Sequence, residues 1–540
     1  MRGTFVALTC LATILLVPSA WAVPDFTPGP DPSRIVLNPT ASPATSQSVT
    51  WRTDSSTTGG RIEYQPSAGG PVTPVEATTG DPVAFPGWSY SSRHHSVRLT
   101  GLSPDTGYRY RVGSDGHLSE WSTFRTAASG YRPWTMLYFG DVQRQIDTAW
   151  APVADMAFTN NPEAKIAIYA GDLINQSSDD TDWGYFFAGL GEPARTINQI
   201  PVIGNHELSG DNQGIQFREH FTDPGNGPED LRSRVGYTDY QGVRIITLDG
   251  NQFFLDSQVA FLEQALAHNP NKWTVVSLHQ PVFSGEEGHD YPYIRDALLP
   301  VLEKYDVDLV LQGHDHAYSR GYVAADFDQS TGYPNGPVFV VSVAGPMSVP
   351  IGQEISNSYT DNGAVRVKAF EKTATYQPIS FDGNTLTYRS FIAGKGDGSN
   401  ATGQVGDLLD AFTITRLPDG SKVVSEGETP PDLDPGPDPE AASLKITRVT
   451  PNFKRGSARI TVVSNSDGRV TAGAGQGRLV RNVSRAVSAD RPTSLTIRAA
   501  RSQLGKLRRR GRLSLKLKVR FDPETGRSRS LTRRITLKLR

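Results

Sequence analysis

The nine residues QGHDHAYSR, at 312 to 320, place two histidines and an aspartate within three positions, directly after an apolar run. In extended chain alternate side chains share a face, so His314 and His316 can enter one crevice while Asp315 points the other way. Four earlier apolar runs end in residues of the same kind. WTMLYF leads into Gly140-Asp141, AKIAIYA into Gly171-Asp172, IPVI into Gly204-Asn205-His206-Glu207, and WTVVSL into His279. A glycine-aspartate pair alone is a common turn or helix cap, and a lone histidine is usually a hydrogen-bonded structural residue. Five strand ends that carry only metal ligands and proton carriers are a different observation, and together they point to a metal site. A carboxylate has two diverging oxygens, so either Asp141 or Asp172 can bridge two cations, with His314 and His316 contributing one donor to each. Imidazole and oxygen donors without thiolate suit manganese, iron, zinc or cobalt and disfavour copper(I) and iron–sulfur chemistry. Two such ions stabilise the attacking and leaving oxygens of an in-line displacement at phosphorus, and bring the pKa of bound water from 15.7 to about 7. The chemistry implied is phosphoester hydrolysis.

The elements that must position these groups are legible around them. Segments of helical spacing, SQVAFLEQALAH at 257–268 and YIRDALLPVLEKY at 293–305, alternate with the apolar runs, so residues 133–416 read as an α/β domain. In open α/β sheets the crevice forms outside the carboxyl ends of the strands, where all five groups stand. SVAGP (342–346) and TYQPISFDGNTLTYRSFIA (375–393) are expected as strands completing a second sheet, and DLLDAFTIT (407–415) as the last strand. Loops at 175–191 and 206–228 should select the substrate, with Trp183, Tyr185, Phe186 and Tyr318 as candidates to line the cleft.

At 540 residues the chain is too long for one core. Residues 1–22 have a basic start, a short apolar stretch and small residues at Ala20 and Ala22, which reads as a signal peptide. No later segment approaches a membrane span, so no transmembrane anchor is expected and the protein reads as secreted. The single cysteine, Cys10, lies in that leader, which excludes a disulfide scaffold for the rest. Residues 32–128 carry short alternating segments between Gly, Pro, Ser and Thr, the pattern of an antiparallel β-sandwich. This region resembles a fibronectin type III domain, with Tyr108 in LTGLSPDTGYRYRV placed to return its hydroxyl to the preceding turn. His94 and His95 are expected at surface or cross-strand positions, not as ligands. Residues 425–441 form an acidic, proline-rich linker.

Beyond the linker, residues 441–540 hold 26 Lys and Arg against 4 Asp and Glu, while the rest of the chain holds 28 against 52. RLSLKLKVRF and RRITLKLR alternate apolar and basic residues, so 442–540 read as a basic all-β domain. Its charge points to retention on an anionic cell-wall or extracellular polymer. The lack of interleaved aromatics argues against sequence-specific nucleic-acid recognition.

The blocks FGDVQ, AGDLINQ, GNHE, SLHQP and GHDHAYSR resemble, in order and spacing, those of the calcineurin-like metallophosphoesterases, and in detail the purple acid phosphatase branch. The resemblance implies a four-layer α/β/β/α sandwich behind the N-terminal all-β sandwich. It implies that Asp141, Asp172 and His316 bind one metal, that Asp172 bridges, and that Asn205, His279 and His314 bind the other. It implies catalytic roles for His206, as proton donor or phosphate contact, and for His289. The family tyrosine that binds ferric iron is replaced by Asn175, so a colourless protein with two divalent ions, manganese, iron or zinc, is expected. Gln143 stands where many relatives of other branches carry a histidine ligand. The expected activity is hydrolysis of phosphomonoesters. The alternatives are an extracellular phosphodiesterase or nucleotidase on the same site, or a non-catalytic cell-surface binding protein.

Overall fold

The structure, a computed structural model, describes residues 24–211, 213–252, 255–353, 357–431, 443–474, 479–523 and 529–539. The expected signal peptide, and the acidic linker from residue 432 onward, lie outside the described residues. The chain divides into two compact units, the first reaching Asp432 apart from the turn Leu417–Ser421, the second formed by that turn and Leu433–Arg540.

The strand Trp134–Phe139 shows how the first unit is layered. All six residues are buried, but to opposite sides. Met136 and Tyr138 enter a core shared with Ile245, Val275 and Leu311, while Leu137 and Phe139 enter one shared with Trp150, Trp183 and Phe186. A strand covered on both faces has no reason to alternate polar residues, which is why these runs read as continuous apolar sequence. The same division separates Val275 from Val276 and Leu309 from Val310 across the second sheet. Two seven-stranded sheets therefore pack face to face. Helices Ala151–Asn160 and Asp180–Leu190 cover the outside of one, and Asp256–Ala267 and Pro292–Lys304 cover the other. The result is the four-layer α/β/β/α arrangement. Parallel pairing of Trp134–Phe139, Ile166–Tyr169 and Asn198–Pro201 brings three carboxyl ends to one edge of the first sheet. Val243–Thr247, Trp273–Ser277 and Leu309–Gln312 are likewise parallel in the second.

Three expectations are corrected. SVAGP is not a strand; only Val343 bridges, to Asp141. The segment 375–393 falls in two strands, Thr373–Asp382 and Thr385–Lys395, which join the sheet of Trp134–Phe139 instead of completing the other. The last strand of that sheet is Lys422–Glu426, beyond Leu408–Arg416, because Val423 and Val424 still reach buried positions.

The N-terminal residues form two five-stranded sheets around Trp51, Ile62, Tyr110 and Val112. Tyr108 behaves as expected, its hydroxyl accepting a hydrogen bond from the Ser103 amide at 2.9 Å. His95 is cross-strand and buried, stacked on Trp51 and held by Thr53 and Thr79. His94 is also buried, against His220 of the α/β layers, so neither histidine is a surface residue. These sheets join the α/β layers in one unit through a buried charge cluster. The Asp180 carboxylate, at the start of its helix, meets Arg34 at 2.6 Å and Arg52 at 2.9 Å and accepts from the Tyr90 hydroxyl at 2.8 Å.

In the second unit a three-stranded sheet (Leu444–Asn452, Ser457–Ser464, Thr493–Arg498) and a four-stranded sheet (Val480–Val487, Gly468–Ala474, Arg512–Pro523, Arg529–Lys538) share one apolar core. Among its described residues the region is all-β apart from one helix, Arg501–Arg510, which buries only Leu507. Among the described residues no helix is long and apolar enough to cross a membrane.

Removing one partner from a buried ion cluster leaves the others uncompensated, which costs about 3–5 kcal/mol. Asp180→Ala should therefore destabilise the first unit by about that amount in a urea titration. Glu263→Ala, which breaks only the surface pair with Lys304, should change stability by less than about 1 kcal/mol.

Candidate metal centre

Each ligand-bearing strand end turns sharply, and the local geometry explains the glycines that precede the ligands. Gly171 has φ +90°, and a Cβ there would lie 2.4 Å from His279 Nδ1. A Cβ on Gly313 would lie 2.3 Å from Asp141 Oδ1 and 2.7 Å from the Ala170 carbonyl. The strand ends approach so closely that no side chain fits between them. Two of the candidate ligands themselves hold left-handed backbone, Asp172 at φ 52° and His314 at φ 73°. Such conformations persist when the surroundings over-determine them, and they cluster at functional sites.

The predicted groups converge. Asp172, His279 and His314 offer ligand atoms within 4.8 Å of one another, as do Asp141, Asp172 and His316, so Asp172 belongs to both groups. The His279 Nδ1 faces the Ala170 carbonyl at 2.7 Å and must donate there. Its Nε2 then presents a lone pair, in neutral form, to Asn205 Oδ1 at 3.1 Å, His314 Nδ1 at 3.1 Å and Asp172 Oδ2 at 3.2 Å. Four electron-rich atoms facing one point need a cation between them. The three distances from His279 Nε2 are a little shorter than the roughly 3.4 Å separation of neighbouring ligands on about 2.1 Å metal–ligand bonds. In the second group His316 Nε2 lies 3.0 Å from Asp141 Oδ2, an oxygen that has no hydrogen bond among the described residues. The donor set thus fits a pair of divalent ions, with the carboxylate of Asp172 between them.

The electrostatics agree. Burial opposes charge on His279, but Asp172 and Asp141 outweigh it and raise the imidazole to about 10. Burial likewise disfavours the Asp172 carboxylate, and His279 and His206 reverse that effect and hold it below its usual range. Burial and the charge on His279 push His314 down to about 4. Burial also opposes charge on His316, but the hydrogen bond and charge of Asp141 outweigh it and raise that imidazole, so protons are favoured on His279 and His316 where metal ions fit.

His206 stands beside the ligands without being one. Its Nδ1 donates to the Asn175 carbonyl, and its Nε2 lies 3.9 Å from Asp172 Oδ2. His289 is half exposed, with its Nδ1 3.2 Å from Glu286 Oε2. It clusters with Glu286 and Asp315, not with the two ligand groups. Tyr291 lies between, its ring 5.2 Å from that of His314. Asp315 does point away, accepting from Ser284 Oγ at 2.8 Å and the Gly285 amide at 2.7 Å. Asn175 turns its amide nitrogen to Asp182 Oδ1 at 3.1 Å. Trp183, Phe186 and Tyr318 do not line the cleft; Trp183 and Phe186 are buried because residues 180–190 form a helix with an apolar inner face, and Tyr318 is buried between the sheets in the strand Ala317–Val323.

Two residues carry more of the geometry than their types suggested. Glu207, fully buried, accepts from the Gly204 amide at 2.7 Å, the Asp172 amide at 3.0 Å and the Leu173 amide at 2.8 Å. It ties two strand ends together, and its place in GNHE was the available signal. Gln143 Nε2 sits 2.8 Å from Asp172 Oδ2 and 3.2 Å from His316 Nε2, filling the gap that a further imidazole would occupy.

Because the His279 pKa is raised, its proton stabilises the metal-free fold fully below about 6.5, and that stability is lost as pH rises through about 10. Metal uptake must displace this proton, so apparent affinity should rise with pH across that window, with proton release visible by calorimetry in two buffers of different ionisation enthalpy. Uptake without proton release would contradict the assignment. Gly313→Ala, which forces the strand ends apart, should weaken metal retention about 10- to 100-fold by equilibrium dialysis.

Comparison with known proteins places this geometry. Residues 32–126 match the purple acid phosphatase N-terminal domain, and residues 135–318 match the calcineurin-like phosphoesterase family. An uncharacterized protein of Mycobacterium tuberculosis is 30% identical over 273 residues, covering 43% of this chain and 51% of its own. Purple acid phosphatase 21 of Arabidopsis thaliana is 28% identical over 287 residues, covering 50% of this chain and 63% of its own. The chain thus spans between half and two thirds of the length of these relatives. The structure of a purple acid phosphatase from yellow lupin seeds superposes with a TM-score of 0.60 at 19% identity, over 71% of this chain and 74% of that one. With both matches in order along the chain, residues 135–318 form a calcineurin-like phosphoesterase domain behind a purple acid phosphatase N-terminal domain at 32–126.

Proposed function

We propose that the chain is a secreted, metal-dependent hydrolase of phosphomonoesters. The observation that carries this reading is the single carboxylate of Asp172 shared by two ligand groups, with an uncommitted imidazole nitrogen of His206 3.9 Å from it. Asp141, Asp172 and His316 hold one ion, and Asp172, Asn205, His279 and His314 hold the other. A pair of divalent ions, manganese, zinc or iron(II), supplies a nucleophile ionised near neutral pH and neutralises charge on the phosphoryl oxygens. Asn175 replaces the phenolate that would select ferric iron, so the protein is colourless.

The remaining work falls to the chain. The hydrogen bond from His206 Nδ1 to the Asn175 carbonyl fixes the ring, so proton exchange occurs at Nε2. The Nε2 proton passes to the leaving oxygen as its bond to phosphorus breaks, and the alcohol departs neutral. His289, oriented by Glu286, is assigned the outer contact to a phosphoryl oxygen. The leader at 1–22 and the cysteine-free remainder support export.

The test compares a chromogenic phosphomonoester with the matching diester, in one buffer with manganese supplied. A preference for the monoester supports the reading, a preference for the diester moves it to a phosphodiesterase, and activity on neither with no bound metal leaves a binding protein. His206→Gln should lower kcat about 10²- to 10⁴-fold on alkyl phosphates, whose leaving groups need a proton. On an activated aryl phosphate, whose leaving group does not, the loss should be much smaller.

A further inference from the structure

We propose that the outer face of the four-stranded sheet in the C-terminal unit is a docking surface for a linear polyanion of the phosphate-polymer type. The proposal is independent of the chemistry at the metal centre. In the strand Arg512–Pro523 every second residue from Leu513 to Phe521 is buried, and the residues between them, from Arg512 to Arg520, are exposed. Arg512, Lys516, Lys518 and Arg520 thus share one face, with Ser514 among them. Along a strand such positions recur about every 6.5–7 Å.

The register makes the face unusual. Lys516 stands directly opposite Arg534, and Arg512 directly opposite Lys538. Like charges in directly opposed pairs weaken a sheet. A face serving only solubility mixes both signs, and antiparallel pairs then place opposite charges across from each other. Among the described residues no ion pair is found for Arg512, Lys516, Lys518, Arg534 or Lys538, and the one acid nearby, Asp522, is held by Arg520 at 2.7 Å. Protection of an exposed edge does not account for the pattern. Arg529–Lys538 is the edge strand, but Arg512, Lys516 and Lys518 lie on the interior strand beside it.

The chemistry of the face selects among anionic partners. Three of the six cations on this face, Arg512, Arg520 and Arg534, are arginines, whose planar guanidinium matches phosphate oxygens in pairs. The region has no tryptophan or tyrosine, so it offers no platform for stacked bases. Among the described residues of the unit, Leu504 is the only exposed large hydrophobic side chain, and it lies on the helix, so the sheet face has nothing to insert into a bilayer. A flat, hydroxyl-dotted array of cations fits an extended chain of phosphates that is read by charge and spacing alone.

The experiment uses the full-length protein and poly(vinylphosphonate), whose carbon backbone the enzyme cannot cleave, with vesicles rich in phosphatidylglycerol as the second probe. Binding to the polymer is expected, with log K falling linearly in log salt. Lys516→Gln with Arg534→Gln should weaken it at least about tenfold at low salt and reduce the slope by roughly 1.4, at about 0.7 per lost contact. The same double variant should raise the thermal midpoint of the C-terminal unit, because it removes a repulsive pair, and should leave turnover of a small chromogenic ester unchanged. No binding at low salt, an unchanged slope in the double variant, or stronger binding to vesicles than to the polymer would each overturn the proposal.

Discussion

The carboxylate of Asp172 is the constraint around which the catalytic unit is arranged. It stands at the end of a central strand in left-handed backbone, and it is shared by two groups of ligands. A buried carboxylate is unfavourable unless its oxygens are occupied, and every neighbour helps to occupy them. His279 and Gln143 approach Oδ2, and the His206 amide donates to Oδ1. The backbone that positions it is in turn held by Glu207, whose oxygens take the amides of Asp172, Leu173 and Gly204. The strand ends that carry Asp172, Asn205 and His279 are fixed relative to one another through these two acids, and Asp141 ties in the fifth by accepting from the His314 amide at 2.7 Å.

Such an arrangement needs rigid support, which the layered core supplies. Each ligand strand is buried on both faces, so it cannot slide without dragging apolar side chains out of two cores at once. The tight glycine passages at 171 and 313 then turn the chain immediately into ligand residues. Flexible loops would not hold donors at 3.1–3.2 Å spacing, whereas strand termini do. The N-terminal sheets add to this support from outside. Arg34 and Arg52 reach Asp180, and two residues on, Asp182 holds the Asn175 amide and thereby the carbonyl that orients His206. A distant β domain is thus connected to the ring that carries the proton by one short helix start.

The candidate ligands were legible in the sequence because few residue types can bind a metal, and because each candidate follows an apolar run that reads as a doubly covered strand. Helices 256–267 and 292–304 were legible by their apolar spacing. The hairpin Thr373–Lys395 was legible as strands but not as to its sheet, since pairing partners far apart in the chain leave no local trace. The aromatics Trp183 and Phe186 were misread as cleft residues for a similar reason: a residue type does not say which side of its helix meets a core.

By itself the sequence determined which residues are candidate ligands and the charge asymmetry between the two ends, because each is a property of residue types at fixed spacing. The tertiary structure placed Asp172 in both candidate groups, which the family resemblance implied and the residue types left open, and it alone decided that Glu207 clamps two strand ends. It also decided that His289 faces Glu286, and that lysine and arginine oppose one another across the C-terminal sheet. These are matters of direction and register. They are set when strands distant in sequence pair and pack, and no local pattern of residues encodes them.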